Sequence, residues 1–252
     1  MKQIGKKPVI YLFPPKPMEI RVMLGLVPQW EFSALFPDVL VEQKALVASQ
    51  GRVGQTVAWE VSAQPNGVIR DKNGMEVSYL YWEAEVRRAD IIDSPPAIPP
   101  LSQSVGDEVF DPSHPILTPG NSVVLSTHSV PIYLDNALRA LGLHIEARTS
   151  FITFWIPDFN EHPYVQLRFL PQQSYSVAAP LEITPRPDAI LRVFMLWKGI
   201  SEEDRRQPSC DQAASRADRP VDWWKDIVGI EDDERIPGDL FRVIEWGGMQ
   251  VY

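Results

Sequence analysis

The segment from Val77 to Val86 carries the clearest β-strand pattern of the chain. Residues two apart lie on the same face of a strand, so the alternation can be read as two faces. One face is wholly apolar and the other changes from aromatic to acidic: Leu80, Trp82, Ala84 and Val86 against Val77, Tyr79, Tyr81, Glu83 and Glu85. The pattern predicts a central strand with neighbours on both sides.

Other segments of the chain repeat strand patterns, and short turns separate the strands of the first half. The chain has 24 prolines against 14 glycines, which favours short strands and disfavours long helices. Phe151–Ile156 is apolar on both faces and predicts a further, buried strand, which Pro157 ends. The remaining predicted strands cover residues 8–13, 19–26, 30–36, 57–63, 68–70, 123–125, 164–170, 181–184, 189–200 and 241–252. Residues 164–170 are expected to turn Gln166 and Arg168 outward.

Two short helices complete the expected fold. Residues 134–141 place four apolar side chains on one stripe, and Gly142 follows where a left-handed cap is expected. Residues 220–228 start at a proline and end before Gly229, with Trp224 available for docking. The predicted fold is therefore mainly β, of the α+β class: a two-sheet antiparallel β-sandwich with two short peripheral helices.

The domain organisation is inferred from the segments in which the hydrophobic periodicity of strands and helices is lost. Residues 1–252 are expected to form a single domain, with a proline-rich insertion at about 93–120 and a charged excursion at about 201–235. Cys210, inside that excursion, is expected to be a loop thiol rather than a nucleophile.

Charge and motif content narrow the classes of partner. The net charge is −9, which disfavours nucleic acid and anionic membranes as partners. Five apolar residues precede Pro14, too few for a signal peptide or a membrane span. A single cysteine, with no signal segment, predicts a cytoplasmic protein.

No metal or cofactor is expected. The four histidines do not pair at helical or hairpin spacing, and no phosphate-binding loop or serine-hydrolase motif occurs. Asp158, Glu161 and His162 share one turn and could contact a cation, but a solvated polar loop is the preferred interpretation.

Three charged residues interrupt otherwise apolar or aromatic strand faces: Glu83, Arg192 and Glu245. Buried charges are costly unless they are paired, so the preferred interpretation is an internal ion pair of Arg192 with Glu83 or Glu245. Alternatively, Glu83 and Glu245 could be the catalytic acid and base of a hydrolase in an aromatic cleft.

Aromatic residues near these charges suggest a ligand pocket. The candidate ligand-binding residues are Tyr81, Trp82, Trp155, Arg192 and Trp246. Each tryptophan could instead belong to the core, which is the usual place for such side chains in a β protein.

Six segments occur in order along nearly the whole chain: Lys7-Pro-Val-Ile-Tyr-Leu-Phe-Pro14, Tyr79-Leu-Tyr-Trp-Glu83, Tyr133-Leu-Asp-Asn-Ala-Leu-Arg-Ala-Leu-Gly-Leu143, Phe151-Ile-Thr-Phe-Trp-Ile-Pro157, Arg192-Val-Phe-Met195 and Glu245-Trp-Gly-Gly248. The set resembles a family of uncharacterised proteins of mushroom-forming fungi that has more distant bacterial relatives. The resemblance implies one inherited unit over residues 1–252. It brings no activity and no catalytic residues with it.

These observations predict a binding module whose ligand is a small molecule or a protein segment. The alternative is a hydrolase-type enzyme that uses Glu83 and Glu245. A third hypothesis is a scaffold that presents the proline-rich insertion at 93–120 to a protein partner.

Overall fold

A computed structural model describes residues 4–48, 51–87, 108–230 and 240–252. Strands make up 40% and helices 27% of the structure, and the strands form two sheets. The predicted class, an α+β two-sheet sandwich, is confirmed.

The larger sheet has seven strands in the order β3-β8-β1-β13-β12-β10-β9. Neighbours are antiparallel except β12 and β13, which run parallel. The strands are β1 (Ile4–Phe13), β3 (Trp30–Phe36), β8 (Leu80–Val86), β9 (Val123–Ser126), β10 (Tyr164–Phe169), β12 (Ala189–Ile200) and β13 (Arg242–Gln250).

The smaller sheet has six antiparallel strands. Five follow the order β11-β2-β5-β6-β7, and β4 pairs with β5. The strands are β2 (Met18–Leu26), β4 (Glu42–Ala48), β5 (Gly51–Ala63), β6 (Ile69–Asp71), β7 (Glu76–Val77) and β11 (Leu181–Thr184).

The described residues contain six α-helices, more than the two expected. They are α1 (Val130–Ala140), α2 (Ile145–Phe159), α3 (Gln172–Ala178), α4 (Glu202–Arg205), α5 (Pro208–Ala217) and α6 (Trp223–Val228), and a 3-10 turn (Thr127–Ser129) precedes α1. Among these residues, no helix has the length and apolar character needed to cross a bilayer.

The seven-stranded sheet separates two apolar cores. One core lies between the two sheets, and the other lies between the larger sheet and the helices. Strand β12 contributes to both, with Phe194 on the inter-sheet side and Val193 and Met195 on the helix side. This double burial explains why β12 is apolar on both faces.

The segment from Val77 to Val86 is not one strand. Ser78 and Tyr79 form a bend, so that Val77 ends β7 in the smaller sheet and Leu80 begins β8 in the larger one. The rest of the prediction is confirmed: β8 lies between β1 and β3, and its apolar face is buried. The alternation alone did not reveal where the chain changes sheets.

The prediction of a strand at Phe151–Ile156 is wrong, because these residues belong to α2. The buried residues of this helix, Ala147, Phe151, Trp155 and Phe159, recur every fourth position. That period becomes visible only over a window longer than six residues. Pro157 lies in the last turn of the helix instead of ending a strand.

Strand β10 is confirmed, but its polar face is buried rather than solvated. The guanidinium of Arg168 donates to both carboxylate oxygens of Glu108, at 2.9 and 2.7 Å. Gln166 Nε2 donates to Ser122 Oγ at 2.6 Å. The segment 108–122 therefore covers this face and supplies the partners that its polar side chains need.

The charged excursion is helical as far as the structure describes it. Cys210 is buried in α5 and is not a loop thiol. Residues 231–235 of the excursion, and residues 93–107 of the proline-rich insertion, lie outside the described residues. The assignment of residues 1–252 to one domain stays a prediction.

Both predicted helices are present. The apolar stripe of α1 is buried, Gly142 has φ 91°, and Gly229 after α6 has φ 79°. Gly248 in β13 marks a close approach, because a Cβ there would lie 2.9 Å from the Trp155 ring. The absence of a side chain at Gly248 lets α2 pack directly on the larger sheet.

Candidate functional site

The two candidate catalytic carboxylates lie on opposite faces of the larger sheet. Glu245 pairs with Ile10 of β1, and Ile10 pairs with Leu80 of β8, so these three side chains share the inter-sheet face. Glu83 is an odd number of residues from Leu80 and therefore points to the helix side. The structure does not bring the two carboxylates into one cavity.

Arg192 pairs with Glu245, one of the two partners that the sequence proposed. The Arg192 Nε donates to Glu245 Oε2, and both side chains are almost fully buried, 3% and 0% exposed. Glu245 Oε1 also accepts from Trp82 Nε1 and from Tyr175 Oη, each at 3.1 Å. The carboxylate is thus held by three donors.

The guanidinium has further partners in α3 and the residue that follows it. Its Nη1 donates to the Ala179 carbonyl at 2.7 Å and to Ser176 Oγ at 3.2 Å, and its carbon lies 4.4 Å from the centre of the Tyr175 ring. Burial is the largest single effect on the pKa of Arg192 and would lower it, but Glu245 and Tyr175 together outweigh burial, so the pKa is raised. The guanidinium therefore stays charged, and both side chains are sealed from water.

The predicted ligand-binding residues divide into two groups. Trp82, Trp155, Arg192 and Trp246 are buried, whereas Tyr81 is half-buried on the helix side of β8. In this conformation a ligand at the surface reaches Tyr81 only. The sequence placed Trp155 on a strand, but it belongs to the buried face of α2.

Tyr79 and Tyr81 are partly buried on the helix side of the larger sheet, next to Tyr11 and to the backbone of Lys7. We call this surface the aromatic shelf, defined by Lys7, Tyr11, Tyr79, Tyr81 and Glu83. Tyr81 and Glu83 are half-buried on β8, whose other face is sealed in the inter-sheet core. On the neighbouring edge strand β3, Phe36 pairs with Tyr81 and is 47% exposed. The shelf therefore extends towards solvent at this edge of the sheet.

Lys7 lies where the pairing of β1 with both neighbours is irregular. Its φ is 51°, and it is the only non-glycine residue with a positive φ in the described part of the chain. Its Nζ lies 5.0 Å from the centre of the Phe154 ring and 5.6 Å from that of Trp246. It donates to Ser150 Oγ at 3.3 Å. The ammonium group therefore lies between β13 and α2.

Aromatic rings form the inner wall of the shelf. The ring of Tyr11 lies 5.4 Å from that of Tyr79 and 4.9 Å from that of His144, both edge-to-face. Tyr11 Oη is buried and makes no close hydrogen bond to a residue that the structure describes, but Glu146 and Trp246 lie near enough to act on it as hydrogen-bonding groups.

Burial shifts the pKa of several groups of the shelf. It lowers the pKa of Lys7, and the charge of Glu146 opposes that shift without reversing it. Burial, followed by Glu146, raises the pKa of Tyr11. Burial, followed by the neighbouring Glu83, raises the pKa of Tyr81. The hydroxyl groups of Tyr11 and Tyr81 therefore stay protonated at neutral pH, and burial disfavours the charged form of the Lys7 amine.

The described residues hold no cluster of metal-ligating side chains. Asp158, which the sequence grouped with Glu161 and His162, instead pairs with Lys6 at 3.6 Å. A surface groove of about 670 Å³ lies between α1 and residues 217–222. It mixes charges of both signs, and the Tyr133 hydroxyl that lines it already accepts from Trp224 Nε1 at 2.8 Å.

The sequence pattern placed Tyr81 and Glu83 on the same strand face. It did not place Lys7, Tyr11 or His144 beside them. A signal was available for Lys7, which stands just before Pro8 at the start of the first predicted strand. His144 had no such signal, because its position depends on how α2 packs on β1.

Comparison of the chain with protein-family models, with curated proteins and with solved structures finds no match. The resemblance to the fungal family stays a prediction.

Proposed function

We propose that this protein binds a small, neutral ring compound that carries hydroxyl groups, and that the aromatic shelf is the binding site. The observation that carries the proposal is the partly exposed Tyr81–Glu83 face on the helix side of β8, whose opposite face is sealed. Flat tyrosine rings next to carboxylates are typical of pockets that combine stacking with a few directed hydrogen bonds.

The charges of the shelf favour a neutral ligand with hydroxyl donors. Carboxylates accept hydrogen bonds and cannot donate them while they are ionised. Glu83 and Glu146 thus suit hydroxyl groups, and with a net charge of −9 the protein disfavours an anionic ligand.

The hydrolase alternative has little to support it. Glycoside hydrolysis needs two carboxyl groups on either side of one scissile bond. Glu83 and Glu245 are separated by the sheet itself, and Glu245 already accepts from three side chains. The scaffold hypothesis involves residues that mostly lie outside the described part of the chain, and it stays a prediction.

Titration with 4-hydroxybenzyl alcohol, followed by protein NMR, tests the proposal. We expect saturable shift changes centred on Tyr79, Tyr81 and Lys7. A stacked ring contributes about 0.5–1.5 kcal/mol to binding, so Tyr81→Ser should weaken binding about 2- to 13-fold.

A matched control is Tyr164→Ser, which removes another half-buried tyrosine at the far side of the same sheet. It should leave the affinity unchanged. Shift changes that do not saturate, that lie away from the shelf, or that are equal in Tyr81→Ser and the wild type would contradict the proposed function.

A further inference from the structure

Strand β1 contains one residue more than its neighbour β13 at the position of Lys7. The flanking pairs are Lys6 with Gly248 and Val9 with Trp246. Between them, Lys7 and Pro8 of β1 lie opposite Gly247 alone. The register of β1 with β8 shifts over the same stretch. An extra residue of this kind is a β-bulge, and bulges are frequent beside functional sites, where they redirect individual groups.

The bulge combines an unusual backbone conformation at Lys7 with the absence of a side chain at Gly247. Lys7 has φ 51°, in the left-handed region that residues other than glycine seldom adopt. A Cβ at Gly247 would lie 2.9–3.1 Å from atoms of Pro8, so glycine leaves the room that the extra residue needs. Strained conformations of this kind persist where the surrounding structure imposes them, and they cluster at functional sites.

The bulge directs the backbone N–H of Lys7 to a carboxylate of the aromatic shelf. This N–H donates to Glu83 Oε1, on the neighbouring strand β8, at 3.3 Å. The hydroxyl of Tyr81 lies near enough to act on the same carboxylate as a hydrogen-bonding group. Hydrogen bonds to an ionised acceptor are stronger than neutral ones, and a donor in the main chain is held in place by the sheet. The orientation of Glu83 therefore depends on the backbone of β1.

We propose that Lys7 is a positioning residue of the aromatic shelf. Its left-handed backbone directs its N–H to Glu83 and holds that carboxylate in the orientation that accepts a hydroxyl group of the ligand. This inference rests on the proposed function, and it concerns the backbone of Lys7 rather than its amine. The amine lies among other groups, because its Nζ contacts Phe154, Trp246 and Ser150.

Two substitutions that both remove the amine separate the effect of the backbone from that of the side chain. Glycine adopts a positive φ without strain, whereas a β-branched residue does not. Lys7→Gly should therefore retain the wild-type affinity for 4-hydroxybenzyl alcohol. Lys7→Val should weaken it by up to about fivefold, the loss expected when the Glu83 carboxylate no longer engages the ligand. The same two substitutions at Lys6, which keeps its pairing with Gly248, are the control and should give equal affinities.

The dependence on the carboxylate is tested in the Glu83→Ala background. With no carboxylate to hold, Lys7→Gly and Lys7→Val should bind the alcohol with equal affinity. A general disturbance of the fold by valine would instead lower the affinity in both backgrounds. A difference that persists without Glu83, or equal affinities of the two variants when Glu83 is present, would overturn the inference.

Amide hydrogen exchange tests the hydrogen bond without a ligand and without any change at Lys7. Glu83→Ala removes the acceptor and should accelerate exchange of the Lys7 N–H about tenfold or more. Glu31→Ala, on the edge strand β3, is the control and should leave that rate unchanged. An unchanged rate in Glu83→Ala would overturn the inference, whatever the ligand measurements show.

The two proposals fail in distinguishable ways. If the alcohol binds on the shelf but the Lys7 variants do not differ, or the exchange rate does not respond, the positioning inference is overturned and the binding function stands. If the exchange rate responds but the alcohol does not bind, the proposed function fails. The inference then fails with it, because the carboxylate that Lys7 holds would serve the fold alone.

Discussion

Glu245 has no contact with solvent, and its two oxygens receive hydrogen bonds from Arg192, Trp82 and Tyr175. Removing the cation from a buried ion pair destabilises the fold far more than the intact pair stabilises it. The reason is that nothing then offsets the cost of taking the carboxylate out of water. At the residue scale, this cluster therefore stabilises the junction of α3 with the larger sheet as a unit.

Arg192→Met should lower the free energy of unfolding by about 3–5 kcal/mol, since it strands Glu245 in the core. Replacing both partners, as Arg192→Met with Glu245→Leu, should restore much of that loss. Urea unfolding of the two single variants and the double variant measures the coupling. A coupling energy near zero would contradict a structural ion pair.

His144 gives the protein a pH-dependent stability. Burial lowers the pKa of His144, and Glu146 opposes that effect only in part. The unfolded chain, with a pKa of about 6.5, then binds the proton more readily than the folded protein does. The contribution of His144 is fully present above pH 6.5 and is lost as the pH falls below it.

The measurement is urea unfolding at several pH values below and above 6.5. Stability should decline on the acid side in the wild type and decline less in His144→Gln. The exposed His128 provides the control His128→Gln, which should follow the wild type. An identical pH profile for His144→Gln and the wild type would show that His144 is not responsible.

At the scale of elements, helix α1 is held by its apolar stripe. Leu134, Ala137 and Leu138 are fully buried, whereas Ile132 on the same helix is 71% exposed. The helix follows a 3-10 turn and ends before Gly142. Its stability thus depends on packing against the sheet and α2 more than on helix propensity.

Leu138→Ala should cost about 2–4 kcal/mol, because it removes buried methyl groups and leaves a cavity. Ile132→Ala is the matched control and should change stability by no more than about 0.5 kcal/mol. Thermal or urea unfolding distinguishes the two. Equal effects of the two substitutions would mean that the stripe does not pack as described.

Local patterns predicted elements well where one face was buried and the other solvated. Strand β2, with Ile20, Val22 and Leu24 buried, is such a case. Local patterns failed for α2, because a six-residue apolar window fits a buried strand as well as a buried helix. They also failed for the polar face of β10, because Glu108 and Ser122 reach Arg168 and Gln166 from distant positions.

At the scale of the whole molecule, the larger sheet separates two environments that the sequence could not distinguish. The alternation of β8 places Tyr81 and Glu83 on the same face, and this much was predictable. Whether Glu245 joins them depends on the register of β13 with β1, which brings together residues more than 230 positions apart. That register places Glu245 on the face of the sheet opposite Glu83, which local sequence patterns could not show.

The two carboxylates have separate roles: Glu245 is buried in the core, and we propose that Glu83 contacts the ligand at the surface. Glu83→Gln and Glu245→Gln make the same chemical change on the two faces of one sheet. The free energy of unfolding and the affinity for 4-hydroxybenzyl alcohol, measured in both variants, distinguish the two roles.

We expect Glu83→Gln to change the free energy of unfolding by no more than about 0.5 kcal/mol. It should weaken binding about fivefold, since a charge-assisted hydrogen bond becomes a neutral one and about 1 kcal/mol is lost. Glu245→Gln should lower stability by about 3–5 kcal/mol and leave the affinity of the folded protein unchanged. Loss of binding in folded Glu245→Gln, together with unchanged binding in Glu83→Gln, would show that Glu83 does not contact the ligand and that Glu245 does more than stabilise the core.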